Sequence, residues 1–161
     1  MPGHLLIDVA DYAHVPNGPG TVLVAHEANI HWDLEDGRPG PMYVRKQPAA
    51  GAATLRDRLA DAFRGALRAA AKIEADPALP GVRVRTDEAV FRINDRLLGP
   101  NTEATFAAVN PDLQAFLADL YQGDVALEHR HDPRRLFEVR IRSTASRTVA
   151  DLLSRLEPVG V

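Results

Sequence analysis

The stretch VLVAHEANIHWDLEDGRPG, Val22–Gly40, alternates apolar and polar side chains and predicts the fold around it. Its even-numbered positions up to 34 are apolar except for His26, whereas the odd-numbered positions from 27 to 35 are polar. A period of two residues is typical of a strand with one buried face. Strands usually run about 5–6 residues, so we expect a bend near residues 27–29. EDGRPG should then turn the chain into a second strand, PMYVRKQ.

Two histidines and a glutamate within this stretch resemble a zinc-protease motif. That motif requires histidines four residues apart, so that both lie on one face of a helix. His26 and His31 are five residues apart, which separates them by roughly 140° on a helix and places them on opposite faces of a strand. The sequence therefore excludes the motif. It predicts that His26 faces a core and that His31 lies on the polar face.

The rest of the chain predicts three strand–strand–helix units preceded by a leading strand. The leading strand runs from Leu5 to about Ala10 within HLLIDVADY, and two further hairpins are GVRVRTDEAVFRINDRL and VALEHRHDPRRLFEVRIRST. Apolar stripes at three- and four-residue spacing predict helices at residues 49–77, 102–121 and 146–158, the second divided at Asn110–Pro111. We therefore expect a single α+β domain over residues 1–161, a mostly antiparallel sheet with helices on one face.

The third hairpin allows its register to be predicted. Pairing Glu128 with Arg140 places opposite charges across the two strands. The same register sets His129 opposite Val139. His129 and His131, two residues apart, then both point toward the core.

These histidines are the candidate metal ligands. His129 and His131 lie on one strand face and can chelate a metal. If the first and third hairpins meet, His26 would complete a three-imidazole site for a divalent metal. The alternative is three separate, half-buried histidines bonded to backbone. Asp8, in the apolar leading strand, is a further catalytic candidate alongside the histidines, or else it caps the following loop.

Composition narrows the class of protein. The 161 residues carry a net charge of −3, contain no cysteine and show no motif for a cofactor. Disulfides and thiol catalysis are thus excluded, and nucleic acid is a poor partner for the chain as a whole. No secretory signal and no long apolar run are visible, so we expect a soluble, cytoplasmic protein with no membrane partner. The excess of arginine over lysine suggests a bacterial source.

Arginines concentrate in the second and third hairpins, and an RNA-binding face is one alternative. From Asp124 onward, however, seven arginines meet six acidic residues, and Phe137 is the sole aromatic residue. Base stacking needs more aromatic side chains than this. A solvated sheet face is the favoured interpretation.

The segments LLIDVADYAHVPNGPGTVLVAHEANIHWDLEDGRPG and INDRLLGPNTEATF resemble a family of uncharacterised bacterial proteins. The resemblance covers most of the chain, with its specific part at residues 8–40. It implies no activity, and no functional residue carries over. Members of that family have an additional segment before the leading strand, and whether this chain lacks one is left open.

Together these observations predict a non-catalytic binding or assembly module that uses its sheet surface. We expect a homo-oligomer, because a sheet edge or face is left for a partner, with a small molecule or another protein as further partners. One alternative is a small-molecule enzyme whose site is lined by histidines, with or without a metal. The other is an RNA-binding module.

Overall fold

A computed structural model describes residues 5–12, 14–15, 18–47 and 51–157, apart from the side chain of Asp36. Within these residues the chain forms two compact units, Met1–Val84 and Arg85–Val161. Each unit has its own antiparallel sheet. This division does not test the expectation of one domain, which stays a prediction.

The first unit is a four-stranded antiparallel meander with one helix. Spatial order follows chain order: β1 Leu6–Tyr12, β2 Gly20–Ala25, β3 Ala28–Asp33 and β4 Gly40–Arg45. A 3-10 turn at Glu35–Gly37 joins β3 to β4, and helix α1, Leu55–Glu74, packs on β4. Burial of apolar side chains between helix and sheet stabilises the unit; its core contains Ala28, Ile30, Tyr43 and Ala69.

The alternating stretch Val22–Gly40 contains a tight hairpin rather than one bent strand. Strand β2 ends at Ala25 and β3 begins at Ala28, so His26 and Glu27 form the turn. Leu23 pairs with Ile30, and cross-strand partners share one face of a sheet. An odd position on β2 therefore faces the core together with an even position on β3. The expectation of one continuous even-numbered core face is wrong for this reason.

Helix α1 begins with a capping box. The Thr54 hydroxyl accepts the Asp57 N–H at 3.1 Å, and the Thr54 N–H donates to the Asp57 carboxylate at 3.0 Å. Hydrogen bonds from the Thr54 hydroxyl and N–H lower the pKa of Asp57. Farther along the helix, Gly65 allows a close approach to β4, since a Cβ there would lie 2.6 Å from the Tyr43 ring.

The second unit is a three-stranded sheet with two helices. Its elements are β5 Glu88–Ile93, α2 Glu103–Tyr121, β6 Val125–His129, β7 Phe137–Ser143 and α3 Val149–Leu156. Strand β7 lies between β5 and β6, and both pairings are antiparallel. Phe137, Val139 and Ile141 of β7 are fully buried, and α2 packs against β6 and α3.

The predicted second hairpin, residues 81–97, contains one strand instead of two. Before β5 the chain is held by side chains and not by a ladder. The Val84 N–H donates to the Glu74 carboxylate at 2.8 Å, and the Thr86 hydroxyl donates to the Arg147 carbonyl. Strand β5 pairs with β7, far along the chain, in place of its own neighbour.

Helix α2 is continuous, although the sequence predicts a break at Asn110–Pro111. Proline removes the N–H that would bond to the Ala107 carbonyl. Ala107 and Pro111 are both exposed, so water can satisfy that carbonyl. The buried side chains of Val109 and Leu113 anchor the helix on either side of the proline.

The prediction of an α+β protein with mostly antiparallel strands is confirmed: seven strands form two antiparallel sheets, and three helices accompany them in the described part of the chain. The second half runs strand, helix, hairpin, helix, in place of two strand–strand–helix units. None of the helices in the described ranges is both long and apolar enough to cross a lipid bilayer.

Candidate functional site

His26 lies in the turn between β2 and β3 and is exposed. Its backbone N–H donates to the Leu5 carbonyl at 2.9 Å. The prediction that its side chain faces a core is wrong, because the turn takes residues 26–27 out of the alternating pattern. His26 therefore presents its imidazole to solvent on the first unit.

His129 occupies the position that the sequence predicts. The β6–β7 register has Glu128 opposite Arg140, as charge pairing requires, and His129 ends β6. Its side chain is only 4% exposed. The imidazole stacks on the Phe106 ring at 4.9 Å between centroids and also contacts the Phe137 ring at 5.2 Å. The histidine is thus part of the apolar core of the second unit.

Asn101, which precedes α2, connects His129 to the β6–β7 loop. Its side chain is buried, and its Nδ2 donates to the carbonyls of Arg130, Asp132 and Leu136 at 3.0–3.1 Å. Its Oδ1 lies 2.7 Å from His129 Nε2. Because three acceptors surround Nδ2, the amide orientation is fixed and Oδ1 must accept. His129 Nε2 therefore carries a hydrogen. The Asn101 side chain thus bonds both to His129 and to three carbonyls of the β6–β7 loop.

The other imidazole nitrogen faces the first turn of α2. His129 Nδ1 lies 3.2 Å from Glu103 Oε1, within ion-pair distance but outside hydrogen-bond geometry. The Glu103 side chain is 72% exposed. A general base must come within hydrogen-bond reach of its substrate, and this ring is enclosed on both faces. The burial of His129 between two aromatic rings is typical of a structural histidine, and its catalytic role stays a prediction.

His131 lies beyond the end of β6 and is exposed. Its ring is 6.0 Å from the His129 ring, with 25° between the planes. The prediction that it points toward the core is wrong. Asn101 bonds to the Arg130 carbonyl, and the chain leaves the regular ladder at that residue.

The metal hypothesis draws on both units, since His26 belongs to the first and His129 and His131 to the second. Within either unit, the described residues contain no group of three or more His, Asp or Glu side chains suited to hold a metal ion. The three-imidazole site stays a prediction. So does the enzyme alternative built on it.

Asp8, the remaining candidate, is exposed on β1. Its Oδ1 accepts the backbone N–H of Val9 at 2.8 Å. The premise that this carboxylate is buried is therefore wrong. Asp8 thus accepts a hydrogen bond from the backbone of its own strand.

Strand β1 carries the most extensive apolar exposure of the first unit. It is an edge strand, paired with β2 alone among the described strands, and its register shifts between Leu6 and Asp8. A contiguous exposed apolar patch marks an interaction surface more often than chance. The exposed fractions are 74% for Leu5, 55% for Leu6, 60% for Ile7, 53% for Val9 and 43% for Tyr12.

The charged face of the second sheet is internally paired. Glu138 is 3% exposed, with its carboxylate 2.8 Å from Arg92 Nε and 3.6 Å from Arg140 Nε. Arg142 Nε lies 3.8 Å from the Glu88 carboxylate. Much of the arginine charge on this face is therefore balanced locally. The RNA-binding alternative stays a prediction.

Two features of the second unit were not predicted from the sequence. The buried amide of Asn101 reaches a loop about thirty residues later, and no local pattern signals such a contact. Leu97 and Leu98 stand exposed in a turn. The sequence did contain a signal for these exposed leucines, since two adjacent leucines are unusual among the turn residues of NDRLLGPN.

Neither a protein-family model, nor a curated protein, nor a solved structure matches the chain. What the protein does is therefore inferred below from the exposure, charge and hydrogen bonding of its own residues.

Proposed function

We propose that the protein is a non-catalytic assembly module of the bacterial cytoplasm, which self-associates by pairing the β1 edges of two copies. The observation that carries the proposal is the exposed apolar surface of β1, an edge strand of seven residues. Long apolar edges favour pairing with another strand, because their outward N–H and C=O groups need partners.

A second copy is the occupant that fits this edge best. An antiparallel pair related by a two-fold axis through Val9 sets Asp8 opposite Ala10 and Asp11 opposite Ile7. No two carboxylates then face each other, whereas a shift of one residue would set Asp8 against Asp11 and cost free energy through like-charge repulsion. An isologous contact of this kind closes as a dimer and covers the β1 edge of both copies.

Asp8 regulates the strength of this pairing. The Val9 N–H donates to the Asp8 carboxylate at 2.8 Å. This hydrogen bond must break before the Val9 N–H can pair with the strand of a second copy. Charged side chains on an edge strand commonly protect a sheet against the uncontrolled addition of further strands. Removal of the Asp8 carboxylate should therefore strengthen self-association, which is the opposite of the effect expected from a charge placed at Val9.

The test is the molar mass of the full chain by analytical ultracentrifugation over a range of concentrations. We expect the wild-type protein to dimerise, Val9→Lys to remain monomeric, and Asp8→Ala to dimerise at lower concentration. Val90→Lys is the matched control, since Val90 is 39% exposed on β5, an edge strand of the other sheet. It should leave dimerisation unchanged.

Far-UV circular dichroism must show that each variant is folded. A wild-type protein that stays monomeric at all concentrations contradicts the proposal. So does a Val9→Lys variant that dimerises like the wild type. If Val90→Lys alone abolishes the dimer, self-association uses the second sheet and the assignment to β1 is wrong.

A further inference from the structure

The turn at residues 95–99 displays two leucines almost completely to solvent. Leu97 is 88% and Leu98 is 85% exposed, more than any other large apolar side chain in the described part of the chain. Leucine is among the residues most often fully buried. Such exposure also means that few neighbouring atoms lie beside these side chains. The two leucines form a convex tip, hereafter the leucine tip.

The leucine tip is held in a fixed shape. Asp95 Oδ1 accepts the N–H groups of Leu97 and Leu98, both at 2.9 Å, and the Asp95 carbonyl accepts the Gly99 N–H at 2.9 Å. Gly99 is buried, and a Cβ at this position would lie 2.7 Å from the Ile93 side chain. The turn is thus bonded to itself and seated on the end of β5. A preorganised apolar tip loses little conformational entropy when it binds.

A basic loop lies beside the tip. Asn101, two residues after Gly99, holds residues 130–136 through three hydrogen bonds to their carbonyls. Residues 95–99 and 130–136 together contain four arginines and two aspartates. The two aspartates are engaged locally, since Asp95 bonds the tip and Asp132 accepts the Arg134 N–H at 2.9 Å. This surface is positive on a chain whose net charge is −3.

We propose that the leucine tip and residues 130–136 form a peripheral docking surface for an anionic lipid membrane. The leucines enter the interfacial region of the bilayer, and the arginines contact lipid phosphates. Basic residues near an anionic leaflet and apolar side chains at its boundary both contribute to this type of binding. A bilayer accepts a convex tip without a matching cavity, whereas a protein partner would need a pocket shaped for two leucines.

This inference is independent of the β1 edge, because it rests on the second unit alone. It also concerns peripheral contact with a membrane and not a membrane-spanning helix. The expectation of no membrane partner followed from the absence of a long apolar run, which bears on spanning helices. A tip of two leucines is too short to produce that signal.

Cosedimentation of the full chain with lipid vesicles tests the proposal. Vesicles contain phosphatidylcholine alone or equal parts of phosphatidylcholine and phosphatidylserine. We expect about tenfold stronger binding to the anionic vesicles, weakened by added salt. Leu97→Ser with Leu98→Ser should abolish it, and Arg96→Glu with Arg134→Glu should reduce it to the level of neutral vesicles.

The matched control is Leu34→Ser with Leu79→Ser, which removes two leucines that are 43% and 42% exposed on the first unit. It should bind like the wild type. If the wild-type protein does not bind anionic vesicles, the proposal is overturned, and a protein with a pocket for the tip becomes the alternative occupant. Wild-type binding that survives loss of both tip leucines overturns it as well. All six replaced side chains are solvent-exposed, so circular dichroism should show every variant folded.

Discussion

Asn101 provides the sharpest test of the structure, because one side chain holds a loop of seven residues. Asn101→Ala removes three hydrogen bonds to backbone carbonyls and leaves His129 Nε2 without its acceptor. Each lost bond costs about 1 kcal/mol, and an unsatisfied buried nitrogen costs about the same or more. We therefore expect the free energy of unfolding to fall by about 4 kcal/mol. That is a large part of the roughly 5–15 kcal/mol typical of a folded protein.

The isosteric variant Asn101→Asp separates hydrogen bonding from packing. It preserves the volume of the side chain but replaces the Nδ2 donor with an oxygen, about 3 Å from three carbonyl oxygens. Burial of a carboxylate against carbonyls is unfavourable. The loss of stability at neutral pH should equal or exceed that of the alanine variant.

Urea titrations followed by far-UV circular dichroism give the free energies, and hydrogen exchange gives the local effect. Exchange should accelerate at the Arg135 amide, which donates to the Asp132 carbonyl at 3.0 Å inside the loop. Asn94→Ala, at an exposed asparagine nearby, is the control and should change stability by less than about 0.5 kcal/mol. A loss below about 1 kcal/mol for Asn101→Ala, with unchanged exchange in the loop, would refute the role assigned to this residue.

Three further predictions concern packing and pH. Gly65→Ala should destabilise by about 1–3 kcal/mol despite the better helix propensity of alanine, because the new methyl group meets the Tyr43 ring; increased stability in a urea titration would contradict this. Burial raises the pKa of Tyr121 to about 12, so the stability it contributes is present below the unfolded pKa of about 10 and is lost as the pH rises toward 12. Tyr121→Phe should remove that alkaline loss, at a cost of about 1 kcal/mol for its hydrogen bond to a backbone carbonyl. Hydrogen bonds from the N-cap threonines lower the pKa values of Asp57 and Asp151. The stability that these two carboxylates contribute is therefore present above the unfolded pKa of 3.8 and is lost as the pH falls through the folded pKa values. Replacement of both aspartates by asparagine should make the melting temperature fall less steeply at acid pH. An unchanged fall would argue against the capping boxes as its source.

The two proposals address different surfaces and fail independently. Self-association rests on the exposed edge of β1, and membrane docking rests on the leucine tip of the second unit. A monomer that binds anionic vesicles would remove the first proposal and keep the second. A dimer that does not bind vesicles would keep the first proposal and remove the second.

Several local features followed from the sequence alone. Thr54 and Asp57 are three residues apart, which is the spacing of a capping box, and the structure has that box. The register of β6 and β7 followed from matching Glu128 with Arg140, and it is confirmed. These signals are short-range: a cap needs four residues, and a hairpin register needs two adjacent strands.

The tertiary structure decided what the local patterns left open. The alternation of Val22–Gly40 predicted strand correctly but could not show that residues 26–27 reverse the chain, and so it misplaced His26. Strand β5 found its partner in β7, about fifty residues later. Asn101 bonds to a loop about thirty residues away, and β6 ends at His129, before His131. Each outcome depends on long-range pairing and on which buried groups find a hydrogen-bond partner, and neither is encoded in the spacing of neighbouring residues.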